Sequence, residues 1–382
     1  MENELLVLRD KIDGIDRELV RLFCERMDVA AKIGEYKKKA GKPVYDGARE
    51  RAKLESVAEL ADDGYKNYTK MLYSLLFEVS RSHQDEILNG VTPLFEEISG
   101  AVENTPRLFP EAATVACQGT EGAYSQAAAE KLFKVPNIMY TKTFEGVFKA
   151  VEDGLCRYGV LPVENSTAGT VEGVNKLLHR HNFHIVRSVR VKVDHNLLVN
   201  RGVSLSEITE IVSHEQAINQ CSEFLSTLKG VKITPVANTA MAAKMVAESG
   251  RQDLAALSSY ACAELYSLEC LRKSVQNVGN NYTRFICVAK ELEIYPGADK
   301  TSVMFVTPNK PGALYKVLSR FYALGINLTS IASAMIPERD FEFMFYFDFD
   351  TSVYSEEFAR LICSIESMCD EFRYLGSYRE II

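Results

Sequence analysis

Residues 4–39 read ELLVLRDKIDGIDRELVRLFCERMDVAAKIGEYKKK. Apolar side chains fall at Leu5, Leu8, Ile12, Ile15, Leu19, Leu22, Val29, Ile33 and Tyr36, in steps that alternate three and four, and Arg26 occupies the one remaining place in the series. This is a heptad seam, and such a seam packs against another helix. Arg26 therefore stands at a core position. A buried guanidinium needs an anion, either a carboxylate of the protein or a ligand. Arg26 and Lys37 share a face and lie about 16 Å apart along the helix, close enough to converge on one small molecule. Arg9 lies about 25 Å from Arg26 by the same rise. It can join them only from a second, antiparallel copy of the helix, so the spacing predicts a dimer.

The next segment, PVYDGARERAKLESV (43–57), starts a helix with Asp46, Arg49 and Glu50 clustered at its beginning. A third helix near residues 67–88 carries Leu72 and Leu76 on one row, which Ser80 and Gln84 continue at i+4 spacing. Inward-facing polar groups need partners. Together they describe a polar pocket inside an all-α bundle. Arg9, Arg26, Lys37, Asp46, Arg49, Glu50, Ser80 and Gln84 resemble, in type and order, the active-site set of the all-helical chorismate mutases. The resemblance covers about residues 4–88. It implies a pericyclic rearrangement of chorismate to prephenate, in which the enzyme holds the compact conformer and stabilises charge along the breaking ether bond. It further implies that Arg26 and Arg9 of the partner subunit bind the two carboxylates. Lys37 and Gln84 would donate to the ether oxygen. Asp46 and Glu50 would hold the ring hydroxyl, with Arg49 and Ser80 in support.

The whole chain has 382 residues, is 47% hydrophobic and 25% charged, and carries a formal net charge of −8. Its length suggests two or three domains, and the absence of a long basic tract argues against nucleic acid as a partner. Nine scattered cysteines form no CxxC or Cys/His cluster, which argues against a disulfide framework or a metal site. Cys117, Cys221, Cys262 and Cys287 sit in apolar stretches and read as buried thiols. The N-terminus does not read as a signal peptide and no apolar run is long enough to span a membrane. A reduced cytoplasm is the expected setting.

The chain divides into a helical domain over 1–90, a linker over 91–112, an α/β domain over 113–290 and a C-terminal domain over 299–380. The linker assignment rests on three prolines and lost periodicity in VTPLFEEISGAVENTPRLFPEA. The third section alternates short β-rich runs with helical ones, the α/β signature. Its loops are rich in hydroxyls, amides and glycine: GTEGAYS (119–125), LPVENSTAGTV (161–171), SHEQAINQC (213–221) and NNYTRF (280–285). The first suits an anion at a helix N-terminus but lacks the lysine of a nucleotide loop. Ser213 reads as a helix start. No Ser-His-Asp order and no metal-ligand spacing occurs.

These four motifs resemble prephenate dehydratase, in the family's order. The resemblance implies two α/β lobes of the periplasmic-binding-protein kind with the site in their cleft, no cofactor, and conversion of prephenate to phenylpyruvate, carbon dioxide and water. It makes Thr283 the essential group, with Asn165, Ser166, Thr167, Ser213, Gln220, Arg284 and Phe285 around the substrate. A neutral threonine is a poor general acid, so Thr283 is expected as a positioned donor. Arg284 pairs either a substrate carboxylate or a structural acid.

Residues 301–380 read strand, helix, strand, strand, helix, strand, the α+β ferredoxin-like order. They resemble an ACT regulatory domain. Gly312, Ala313 and Leu314 match its turn into the first helix, and Gly325, Ile326, Asn327 and Leu328 match the start of its second strand. The resemblance implies phenylalanine as effector and pairing across a dimer. The family expects Glu-Ser-Arg-Pro next, and this chain has Ala332, Ser333, Ala334 and Met335. Alanines cannot replace charge-assisted hydrogen bonds, so weakened feedback is expected. The combined order resembles the bifunctional chorismate mutase–prephenate dehydratases of phenylalanine synthesis. An arogenate dehydratase fusion and a non-catalytic amino-acid sensor are the alternatives.

Overall fold

The opening seam forms a single helix, α1 (Glu2–Lys39), in a computed structural model that describes residues 2–89, 92–171, 173–336 and 342–382. Gly41 ends this helix at φ +60°, with Lys42 N donating to Lys37 O at 3.0 Å. This left-handed glycine cap satisfies the last carbonyls. Helices α2 (Gly47–Glu59) and α3 (Lys66–Asn89) follow, with the Asp46 carboxylate capping α2 by accepting from Arg49 N at 3.0 Å. Only the C-terminal half of α1 packs on α3, through Ala30 and Gly34. Leu8, Ile12, Ile15, Leu19 and Leu22 are each more than half exposed. The described residues therefore leave the seam uncovered, and Arg26 is half-buried rather than a core residue.

The stretch read as a linker contains a helix, α4 (Pro93–Asn104). Thr92 caps it, its hydroxyl accepting from Phe95 N at 3.3 Å, and Pro93 stands at the first helical position, where its missing N–H costs nothing. The prolines punctuate this segment without abolishing its structure. The boundary expected at 90/91, and Phe341 as the start of a strand, lie outside the described residues.

The chain then runs β1 (Ala112–Gln118), α5 (Tyr124–Leu132), β2 (Val135–Thr141), α6 (Phe144–Glu152), β3 (Tyr158–Asn165), β4 (Gly169–Thr170), α7 (Val174–Arg180), β5 (His184–Lys192) and β6 (Asn196–Val199). It continues through β7 (Glu210–Ser213), α8 (Glu215–Gln220), α9 (Ser222–Ser226), β8 (Lys232–Pro235), α10 (Thr239–Ser249), β9 (Leu254–Ser258), α11 (Tyr260–Leu265), β10 (Glu269–Arg272) and β11 (Tyr282–Ala289). The last section is β12 (Lys300–Val306), α12 (Ala313–Ala323), β13 (Asn327–Met335), β14 (Phe343–Asp350), α13 (Glu356–Glu366), β15 (Glu371–Tyr378) and β16 (Glu380–Ile381). Its strand–helix–strand–strand–helix–strand order is the one expected.

By packing, the described residues fall into two compact units. One holds α1, α2 and α3 together with α12 and α13; the other holds the three sheets. In the second unit a larger sheet has the order β16-β5-β11-β3-β1-β2, with β4 added to β3. Val115 and Cys117 face one of its cores and Ala116 the other, as strand alternation requires. A five-stranded sheet, β10-β6-β9-β7-β8, divides Leu198 from Leu197 and Val199 in the same way. A four-stranded antiparallel sheet, β13-β14-β12-β15, shares a core with the first through Met304, Tyr346 and Leu375. The chain passes between the first two sheets twice, at residues 193–195 and 273–281. Val193 N donates to Asn281 O, and Val275 N to His195 O, both at 2.8 Å. The two crossings thus run side by side.

Candidate functional sites

In the helical unit Arg26 reaches from α1 to α3. Its Nη1 donates to Leu76 O at 3.2 Å and to the Ser80 hydroxyl, and its guanidinium lies 5.8 Å from the Phe77 ring. Ser80 also donates to Leu76 O at 2.6 Å. Among the described residues no carboxylate pairs with Arg26. Burial lowers its pKa, as expected for a cation with neutral neighbours. One turn beyond Ser80, Gln84 is buried with its Oε1 unpartnered. A Cβ at Gly34 would stand 3.1 Å from Gln84 Cγ, so glycine sets how closely α1 approaches α3. Lys37 Nζ donates to Val44 O, and Glu50 pairs with Arg81. Arg9 and Arg49 are exposed.

The second site lies where the two crossings meet the larger sheet. Thr283 on β11 sits opposite Asn165 at the end of β3. Asn165 Oδ1 accepts from Thr167 N at 3.1 Å, Thr167 Oγ1 at 2.7 Å and Ala168 N at 2.9 Å. Three donors fix this atom as the oxygen, so the amide nitrogen must face the other way. It donates to Thr283 Oγ1 at 2.9 Å and to Asn281 Oδ1 at 2.8 Å. The Thr283 hydroxyl therefore accepts from Asn165 and keeps its own hydrogen for another partner. Gln220 Nε2 donates to Thr167 Oγ1 at 2.8 Å, while Gln220 Oε1 accepts from Asn281 Nδ2 at 3.1 Å and lies 2.9 Å from His195 Nε2. His195 is buried, and desolvation lowers its pKa, favouring the neutral ring. Tyr124, which opens α5, closes the edge by donating to Asp194 O at 2.8 Å.

Two family models match this chain: chorismate mutase type II over residues 8–85 and prephenate dehydratase over residues 115–293. A bifunctional chorismate mutase/prephenate dehydratase of Enterobacter agglomerans is 31% identical over 385 residues, which cover 99% of this chain and 96% of the relative. The chain belongs to the bifunctional chorismate mutase/prephenate dehydratase family. It rearranges chorismate to prephenate in the helical domain, and takes prephenate on to phenylpyruvate for phenylalanine synthesis in the α/β domain. An arogenate dehydratase/prephenate dehydratase of Arabidopsis thaliana is 36% identical over 313 residues, covering 79% of this chain and 80% of its own. The crystal structure of prephenate dehydratase from Arthrobacter aurescens, in complex with L-Phe, is similar at 26% identity and a TM-score of 0.64, over 70% of this chain and 90% of that one.

Of the residues expected at the dehydratase site, the network gathers Asn165, Thr167, Gln220 and Thr283. Ser166 sits at its rim, accepting from Tyr282 N at 2.9 Å. Two placements differ from the sequence reading, those of Ser213 and Phe285, and Arg284 takes one of the two alternatives left open for it. Ser213 ends β7 and does not start a helix; it is fully buried, donates to Leu257 O at 2.7 Å, and leaves His214 to cap α8. Phe285 is a core residue packed with Val115 and Val160: it lies two residues further along β11 on the face of Thr283, where that face is already covered by the core. Arg284 pairs with a structural acid: its Nη2 meets Asp348 of β14, and its Nε is 3.4 Å from Glu164. Sequence reasoning missed His195 and Asn281. The only available signals were a lone His in VDHNLLV and a doubled Asn just before the Tyr-Thr-Arg-Phe run.

Proposed function

We propose that the mutase pocket is completed by a second subunit, and that Thr283 delivers a hydrogen bond to the departing hydroxyl of prephenate. For the mutase, the supporting observation is Arg26: a half-buried guanidinium with neutral partners suits a substrate carboxylate. Arg9 of the partner subunit would take the other carboxylate, and the open apolar seam of α1 supplies a surface for pairing. Lys37 and Gln84 act on the ether oxygen, and Asp46 and Glu50 on the ring hydroxyl, with Arg49 and Ser80 in support.

For the dehydratase, the polarity of the Asn165 amide carries the reading. It leaves the Thr283 hydrogen free to donate onward, which is what a leaving hydroxide requires. Loss of carbon dioxide and aromatisation drive the step, and no titrating acid is needed. The cysteines, none of them paired among the described residues, suit a reducing cytoplasm. Feeding chorismate to the purified protein while following prephenate and phenylpyruvate tests both halves. Lys37→Ala should cut mutase turnover about a hundredfold with added prephenate still consumed, and a near-normal rate would refute the pocket. Faster turnover of arogenate than of prephenate would favour the plant-type activity instead.

We further propose that residues 299–380 form an ACT-type sensor with weakened response to phenylalanine. Gly312, Ala313 and Leu314 at the start of α12, and Asn327 and Leu328 at the start of β13, are the candidate effector residues. Ala332 and Ala334 face an apolar core, where the family's Glu and Arg would present charges. Dehydratase activity should stay within about twofold of its starting value as phenylalanine reaches tens of times a typical micromolar effector Kd. Strong inhibition at micromolar phenylalanine would reject this.

A further inference from the structure

Arg81 follows Ser80 on α3, and its guanidinium is divided between two carboxylates. Nη1 donates to Glu50 Oε1 on α2, and Nη2 pairs with Glu78 Oε1 one turn back on α3. Side-chain exposure is 12% for Arg81 and 10% for Glu78, so this pair is shielded from solvent screening. Glu78 is held in turn from α12. Arg320 Nη2 lies 3.6 Å from its Oε2 and donates to its backbone carbonyl at 3.1 Å, and Lys316 Nζ lies 3.7 Å from its Oε1. The Tyr45 ring is 5.4 Å from the Arg81 guanidinium and 5.7 Å from Lys316 Nζ. Burial disfavours the charge on Arg81, but the hydrogen bond to Glu50 and the charge of Glu78 outweigh this and raise its pKa.

A glutamate has three rotatable bonds, and one that holds a substrate hydroxyl must be confined to a single rotamer. A forked, planar guanidinium confines its partner in direction as well as distance. We propose that Arg81 is a positioning residue of the mutase, which aims Glu50 at the substrate hydroxyl and is itself fixed by Glu78 in the grip of α12. The inference rests on the mutase-pocket reading given above. Lys316 and Arg320, Glu78, Arg81 and Glu50 then form a line of alternating charge from a C-terminal helix to the pocket. Movement of α12 changes mutase activity along it without touching substrate.

The test is a double-mutant cycle in the full-length protein. Arg81→Met and Glu50→Gln should each lower mutase kcat/KM about tenfold or more, and the double variant should be no worse than Glu50→Gln alone. Arg81→Lys should recover part of the loss. Glu78→Gln and Lys316→Met should each give a smaller loss that also vanishes in the Glu50→Gln background. Dehydratase turnover of added prephenate reports folding and should be unchanged. If Arg81→Met lowers that turnover too, the Glu78→Gln cycle decides in its place. Additive losses overturn the relay while leaving the pocket intact. A normal rate for Glu50→Gln overturns the pocket reading itself, and the relay with it.

Discussion

Among the described residues the Thr283 hydroxyl has no charged hydrogen-bond partner, and the chemistry does not ask for one. What matters is that its hydrogen is free to donate, and Asn165 favours this by giving a hydrogen bond to the hydroxyl oxygen and asking for none. Thr283→Val keeps the shape and removes the donor. It should reduce phenylpyruvate formation at least about a hundredfold, while prephenate accumulates from chorismate; Thr283→Ser should retain activity. Loss of both activities in the valine variant would instead point to misfolding, and undiminished phenylpyruvate formation would refute the assignment. The motif residues of this site were legible because several polar groups fell in short loops between apolar runs. His195 and Asn281 were not, because each lies among other polar residues on a crossing and gains meaning only from the opposite crossing. Phe285 shows the converse limit. It belongs to the same triplet as Thr283 and shares its face of β11, but triplet membership says nothing about where along the strand the open site gives way to the core.

At the scale of elements, α1 was readable as a helix along its whole length from its repeat, yet the repeat conceals two different partners. The face around Ala30 and Gly34 packs on α3, and the apolar seam that defines the repeat is left open. A heptad pattern shows that a helix is paired, but not whether its partner lies in the same chain. The helix at 93–104 is hidden for another reason: Pro93 opens it and Pro106 and Pro110 follow it, and prolines in such a segment read as breakers. Gly34 carries an element-scale prediction. Any side chain there must push Gln84, which would stand 3.1 Å from the new Cβ, and part α1 from α3. Gly34→Val should lower mutase kcat/KM about tenfold or more, since a displacement of an ångström costs that much in a preorganised pocket. Dehydratase turnover of added prephenate should be unchanged, and a normal mutase rate would show that the close approach is irrelevant to Gln84.

On the scale of the whole molecule, the helical unit and the sheets have separate cores, so each active site can be altered while the other reports on folding. The open question at this scale is whether one chain can make a complete mutase pocket. Arg9 lies about 25 Å along a straight helix from Arg26, and it is exposed, so a shared pocket must take it from a second subunit. That geometry has a quantitative consequence. Suppose Arg9→Ala and Arg26→Ala chains, each inactive alone, are co-expressed. In a mixed dimer one pocket receives the intact Arg26 of the first chain and the intact Arg9 of the second, and the other pocket loses both. Half of a random mixture is mixed dimer with half its pockets working, so mutase activity should return to about a quarter of wild type in a twofold-symmetric assembly. If Arg9 acted within its own chain, every pocket in the mixture would lack one arginine and nothing would return. Purifying the mixed dimer through two different affinity tags should raise the value to about one half, and failure to exceed the activity of either parent would refute the shared pocket.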